Sequence, residues 1–296
     1  MMKKPIFTGV CTALVTPFLD GKVNYPMMEL LLRRQLETGI KAVVISGTTG
    51  ESPTLSDDEK LELFRRCKAY VGDEMLIIAG TGSNSTEHAV YLSKEAEKCG
   101  VDALLVVSPY YNKATPDGLI AHYLSIAHAV KLPVILYNVP SRTGVDIPVS
   151  VYKTLSRIPN IAGVKEASTD VVKITRIRAA CGSDLPIWSG NDDMIAPIAA
   201  LGGKGVISVL SNVLPKETVQ LCQKFFDGDI AGAMEMQKQY LPLIDALFSE
   251  VNPIPAKAAM AAMGFCEDYL RLPLVPMEAR NREVLLSCMR NAGLDV

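Results

Sequence analysis

The sequence predicts a (β/α)8 TIM barrel followed by a C-terminal helical appendage, and three observations carry that prediction. Short, fully apolar segments alternate eight times with amphipathic segments of helical period, in units of about 20 to 33 residues. No Gly-x-Gly-x-x-Gly follows the first apolar segment, which removes the main argument for an open doubly wound sheet. After Gly228 the alternation stops and only helical patterns remain.

Taken in order, residues 9–16 branch and alternate like a strand that ends at Pro17. Asn24 is placed to cap a helix whose apolar positions Met28, Leu31, Leu32 and Leu36 recur at helical spacing, with Gly39 closing it. The second unit pairs 42–46 with a helix over 57–70. Ser56 is its cap, and acidic residues fill the first turn, where the helix dipole favours them. The third pairs 75–79 with 86–98, closed by Gly100, and the fourth pairs 103–107 with 115–130. Segments 134–137 and 148–155 form the fifth unit, the helix opening on a proline. The sixth joins 161–165 to 170–180, the seventh 187–188 to 194–201, and the eighth 206–209 to 215–226. Right-handed crossovers close eight such units into a barrel. The expected division is therefore a barrel over 1–227 and a helical region over 228–296, with helices at 230–248, 255–263 and 278–292. The apolar faces of those last helices are suited either to padding the barrel or to meeting another subunit.

Composition narrows the function classes. The 296 residues are 49% hydrophobic and 21% charged, with a net charge of −2, which gives nucleic acid or an anionic membrane no electrostatic footing. No apolar run is long enough to span a bilayer, and the start Met1-Met2-Lys3-Lys4-Pro5 lacks a signal-peptide core, so a cytoplasmic location is expected. Seven scattered cysteines, with no Cys-x-x-Cys pair, read as reduced thiols. His88, His122 and His128 have no metal-ligand spacing, and neither a metal nor a cofactor is expected.

The non-generic polar residues fall just after the carboxyl ends of the strands, where barrels of this kind place their chemistry. Gly47-Thr48-Thr49-Gly50-Glu51-Ser52 follows the second strand, Pro109-Tyr110-Tyr111-Asn112 the fourth, and Ser189-Gly190-Asn191-Asp192 the seventh. Tyr137 ends the fifth strand ahead of Asn138-Val139-Pro140-Ser141-Arg142-Thr143-Gly144, and Lys165 ends the sixth. An apolar mouth disfavours an ammonium, leaving the amine of Lys165 available as a nucleophile toward a carbonyl. The glycine-rich loop can turn backbone N–H groups toward a small carboxylate. Gly80-Thr81-Gly82-Ser83-Asn84 looks like a phosphate cradle but lacks the Gly-Lys-Ser/Thr of a P-loop. Asp192 and Asp193 read as helix caps, and strand alternation turns Glu166 away from Lys165.

In their order and spacing, Gly-Thr-Thr-Gly-Glu-Ser, Pro-Tyr-Tyr-Asn, Tyr-Asn-Val-Pro-Ser-Arg-Thr-Gly and Gly-Val-Lys-Glu-Ala-Ser closely resemble the dihydrodipicolinate synthases. These belong to the wider family of pyruvate-dependent class I aldolases that includes N-acetylneuraminate lyase. The resemblance covers essentially the whole chain. It implies that Lys165 forms a Schiff base with pyruvate and that the resulting enamine attacks L-aspartate 4-semialdehyde, in the route to diaminopimelate and L-lysine. It further implies that Tyr137 is the acid–base group, linked by hydrogen bonds to Thr48 and to Tyr111, the latter from an adjacent subunit. Thr49 and Ile207 correspond to positions holding the pyruvate carboxylate, Arg142 to the residue taking the aldehyde's carboxylate, and Gly190 is expected to line the substrate site. The assembly implied is a homotetramer built as a dimer of dimers, with no nucleic-acid or membrane partner.

The alternative within the same scaffold is a sialic-acid or sugar-acid lyase, against which Thr48 and Arg142 argue. A non-catalytic barrel is the alternative of another class, and it would be expected to lack Lys165 or Tyr137. The resemblance also bears on regulation: Ser52, Pro53, Asp57, Lys60, Asn84, His88 and Tyr110 correspond to the L-lysine site of feedback-inhibited relatives. Asp57 and Lys60 replace histidines there and His88 replaces a glutamate, so feedback by L-lysine is expected to be weak or absent.

Overall fold

The protein is described here by a computed structural model covering residues 3–296. Eight parallel strands close into a barrel: β1 Gly9–Ala13, β2 Ala42–Ile45, β3 Leu76–Gly80, β4 Ala103–Val107, β5 Val134–Asn138, β6 Ile161–Glu166, β7 Ile187–Ser189 and β8 Gly205–Ser208. Each strand pairs with the next, and β8 returns to β1 with Val10 opposite Val206. The intervening helices are α1 Tyr25–Glu37, α2 Asp57–Val71, α3 Thr86–Lys98, α4 Pro116–Ala129, α5 Val149–Leu155, α6 Val171–Cys181, α7 Ile195–Ala200 and α8 Pro215–Phe226. Their starts follow the capping chemistry: the Asn24 side chain accepts from Met27 N–H, and Ser56 and Glu59 form a reciprocal capping box.

Two short elements lie outside the eight strand–helix units. Phe18–Leu19 and Lys22–Val23 pair as an antiparallel hairpin around Asp20-Gly21, whose φ angles of 50° and 75° suit the mirror-image turn that Asp-Gly favours. A helical turn, Pro140–Thr143, follows β5 and carries Arg142.

The barrel interior is a small core of inward-facing side chains, among them Cys11, Val44, Ile78, Leu105, Ile135 and Ile207. Its floor is closed by Phe7 stacked on Trp188 at 4.8 Å, with the indole N–H donating to the Phe7 carbonyl. Gly163 is required beside that indole, because a Cβ there would lie 2.6 Å from the Trp188 ring and 2.4 Å from the Pro186 carbonyl oxygen. The pairing of β5 with β6 jumps from Val134 opposite Ile161 to Ile135 opposite Gly163. This one-residue bulge resets which side chains of β6 face inward, as bulges do beside active sites.

Beyond α8 lie α9 Ile230–Leu247, α10 Ile254–Ala262 and α11 Ala279–Asn291. Leu243, Ile244, Leu247 and Ala258 pack with Leu210, Val213 and Leu214 from the turn after β8, so part of this region pads the barrel. No helix among the described residues is long and apolar enough to cross a membrane.

Candidate active site

The site is built on β5 and β6. Past the bulge, Tyr137 stands opposite Lys165 in the parallel ladder, and the two side chains are only 6% and 5% exposed. The Lys165 Nζ lies 4.4 Å from the centroid of the Tyr137 ring. Two buried groups share the field of that lysine. Burial pushes the Cys11 thiol up, against the opposing pull of Lys165. Burial likewise raises the Asp192 carboxyl, while bonds from Ser208, Leu210 and Val209 and the Lys165 charge draw it back.

Glu166 takes the opposite face of β6. Fully buried, it accepts from Asn138 Nδ2 at 2.7 Å, the Tyr152 hydroxyl at 2.9 Å and Ser168 N–H at 2.9 Å, with Lys173 Nζ at 3.7 Å. Burial and the Glu166 charge hold the Tyr152 phenol well above its ordinary range. The carboxylate thus fixes the end of β6 and the loop behind it, leaving the lysine on the inner face.

A cavity of about 370 Å³ opens at this end of the barrel and is lined by Thr48, Tyr137 and Arg142 among others. Gly80 and Gly82 let its walls approach: a Cβ at Gly80 would lie 2.1 Å from the Ser46 carbonyl oxygen, and one at Gly82 2.4 Å from Val107 N. The apparent phosphate cradle is therefore a place where neighbouring strand ends close up. On the cavity's far side, His88 Nε2 is 2.8 Å from Asp57, whose other oxygen is 3.5 Å from Lys60 Nζ.

Thr49 is 2% exposed and accepts at 3.0 Å from Asn252 Nδ2, while Arg142 Nη2 donates at 3.0 Å to the Asn252 carbonyl. Ile207 is fully buried in β8 in the same inner cluster as Tyr137. Gly190 donates to the Glu166 carbonyl at 2.7 Å, and a Cβ there would lie 2.6 Å from that of Ala167. Tyr111 stands apart, 91% exposed and with φ of 70°, so its ring is presented outward from the loop after β4. Among the described residues, no group of three or more His, Cys, Asp or Glu side chains could hold a metal ion.

Sequence reasoning missed Asn252, which lies in the helical region far from every motif and carries no local signal. It also misread Asp192, whose carboxylate accepts from Val209 and Leu210 N–H at 2.9 Å and so caps the turn after β8 instead of its own helix. That pairing joins residues distant in sequence, which helix-start patterns cannot reveal.

The dihydrodipicolinate synthetase family model matches residues 6–292. The chain belongs to that family. A 4-hydroxy-tetrahydrodipicolinate synthase of Lachnoclostridium phytofermentans is 47% identical over 98% of this chain and 99% of its own length. The crystal structure of dihydrodipicolinate synthase from Thermotoga maritima superposes with a TM-score of 0.95 at 44% identity, covering 97% of this chain and 99% of that one. The enzyme of Acinetobacter baumannii, solved chloride-inhibited and complexed with pyruvate, gives 0.95 at 40% identity, covering 97% and 99%. Membership of the dihydrodipicolinate synthetase family thus rests on the whole barrel and its C-terminal helices together.

Proposed function

We propose that this chain is a 4-hydroxy-tetrahydrodipicolinate synthase that condenses pyruvate with L-aspartate 4-semialdehyde through a Schiff base on Lys165. The observation that carries the reading is the buried Lys165–Tyr137 pair at the end of a barrel whose near relatives bear that enzyme's name. A relative solved with pyruvate supports the choice of first substrate.

The neutral amine of Lys165 adds to the ketone of pyruvate, and loss of water gives the imine. Removal of a methyl proton converts the imine to an enamine, whose terminal carbon attacks the aldehyde and forms the new carbon–carbon bond. The amino group of the adduct then closes onto the lysine-bearing carbon and expels the Lys165 amine. Each step moves a proton, and the Tyr137 hydroxyl, carried on the ring that faces Nζ, is the group suited to move it. Thr48 lines the same cavity and is assigned to the relay with Tyr137. Thr49 and the Ile207 backbone are assigned to the pyruvate carboxylate. Arg142 is assigned to the carboxylate of the aldehyde, which a guanidinium grips with two parallel bonds. Gly190 is assigned to the wall of the substrate site.

We assign Tyr111 to the site of an adjacent subunit. Its almost complete exposure on a single chain supports that assignment, and with it a homo-oligomer, read as a tetramer made of two dimers. The chain is read as barrel 1–227 and helical region 228–296, in the cytoplasm, serving diaminopimelate and L-lysine biosynthesis without a cofactor.

Borohydride reduction in the presence of pyruvate tests the reading. A single adduct mapped to the peptide containing Lys165 is expected, and Lys165→Ala should abolish both trapping and turnover. An adduct on any other lysine overturns it.

A further inference from the structure

The loop bearing Thr48 and Thr49 is fastened to the C-terminal region in two ways. Glu51 and Lys257 form an ion pair at 2.7 Å with side chains 1% and 0% exposed, and Lys257 also donates to the Tyr269 carbonyl. Arg271 N–H donates to the other Glu51 oxygen, and its guanidinium grips Glu59. These contacts hold the base of the loop but touch no group assigned to substrate. Asn252 does: its side-chain amide meets the Thr49 hydroxyl and its carbonyl meets the Arg142 guanidinium.

The direction of the first bond matters. A hydroxyl has one proton to give and two lone pairs to receive with. Asn252 Nδ2–H donates to Thr49 Oγ1, which occupies one lone pair and leaves the Thr49 proton free to be given elsewhere. Asn252 is 6% exposed, so the amide is held by packing, and water does not compete freely for the bond.

We propose that Asn252 is a positioning residue that sets the polarity of the Thr49 hydroxyl, so that Thr49 donates its proton to the pyruvate carboxylate. The same residue's backbone carbonyl fixes Arg142, which places both carboxylate-binding side chains on one support. This rests on the substrate assignments made above.

Two variants separate positioning from general structural support. In Asn252→Asp the side chain is acceptor-only, so it takes the Thr49 proton itself and turns the hydroxyl away from substrate. In Asn252→Ala the hydroxyl is unconstrained and can still rotate toward the carboxylate. The expected result is a pyruvate KM raised roughly tenfold or more by Asn252→Asp, the scale of one hydrogen bond to a charged group. Asn252→Ala should raise it less. The aldehyde KM should stay nearly unchanged in both, because the carbonyl that holds Arg142 remains. A merely structural residue gives the opposite order, the isosteric Asp being milder than the truncating Ala. In a Thr49→Val background the Asp and Ala variants should become equal in pyruvate KM. A difference that persists there would mean simple repulsion between the new carboxylate and pyruvate, and would overturn the proposal. Equal effects of Asp and Ala in the wild-type background would also overturn it. Borohydride trapping of the unaltered enzyme is run alongside: its failure would count against the Schiff-base reading, independently of Asn252.

Discussion

Tyr137 and Lys165 occupy matching positions on adjacent strands, with the lysine Nζ over the face of the phenol ring. The ring is therefore both a wall for the amine and the carrier of a hydroxyl. The face of an aromatic ring attracts a cation weakly, so the contact steadies the lysine without pairing its charge with an anion. Removing the hydroxyl and keeping the ring separates the two roles.

Tyr137→Phe should retain fold and lysine placement and lose the proton carrier. Turnover is expected to fall by about 10²–10⁴-fold, the usual worth of one positioned acid–base group. The thermal midpoint should stay close to that of the unaltered enzyme. Steady-state turnover at saturating pyruvate, read beside a melting curve, checks this; unchanged turnover would take Tyr137 out of the mechanism.

Arg142→Ala should raise the KM for the aldehyde more than that for pyruvate, because the carboxylate assigned to the guanidinium belongs to the second substrate. Varying each substrate at a fixed high level of the other measures the two effects separately. A loss confined to pyruvate would place Arg142 elsewhere in the reaction.

L-Lysine should inhibit weakly or not at all at physiological concentration. Asp57 is already engaged by His88 at 2.8 Å and by Lys60 at 3.5 Å, and Lys60, itself buried, sets a positive charge among the positions that the resemblance assigns to L-lysine, a ligand whose own net charge is positive. A dose–response series at sub-saturating pyruvate is the measurement, and half-inhibition at sub-millimolar lysine would contradict the expectation.

Stability should decline on mild acidification partly through His122. Its ring is buried, with Nδ1 on the Thr86 hydroxyl at 2.9 Å, and burial holds its pKa down at about 4. The unfolded chain takes up this proton from about pH 6.5 downward, whereas the folded chain does so only near 4. Across that window the unfolded state binds more protons, so its share of the stability is present above pH 6.5 and is lost progressively as pH falls toward 4. Melting midpoints at pH 7.5, 6 and 5 should drop less steeply in His122→Gln than in the unaltered protein. Parallel curves would remove His122 from the acid response.

Much of the barrel was legible because its signals are local. Strand interiors such as Val43–Val44 and Leu104–Leu105 are apolar on both faces, and the Asn24 and Ser56 caps mark where the chain turns helical. Lys165 and Tyr137 were visible as chemistry-bearing residues at strand ends. The bulge that sets their register was not, since the register jump falls at Gly163, a position where a Cβ would meet the Trp188 ring and the Pro186 carbonyl of the neighbouring strand, and that closeness exists only once the strands have paired. Asn252 and the Asp192 cap were hidden for a related reason: each acts on a partner brought near only by closure of the fold. The hairpin at 18–23 is different, because its Asp20-Gly21 turn was there to be read.

The pairing of Glu51 with Lys257 has a consequence for how the molecule comes into being. Chains emerge from the ribosome amino end first, and early segments can begin to fold before later ones exist. The loop of Thr48 and Thr49 is made early, yet its hydrogen bond from Asn252 spans 203 residues and that from Arg271 to Glu51 spans 220. All eight strands can have been made while this loop still lacks its anchors and Glu51 has not yet met Lys257. The loop therefore reaches its anchored form only after Asn252, Lys257 and Arg271 have been made, and a chain cut before them would keep every barrel strand while holding Thr48 and Thr49 less firmly.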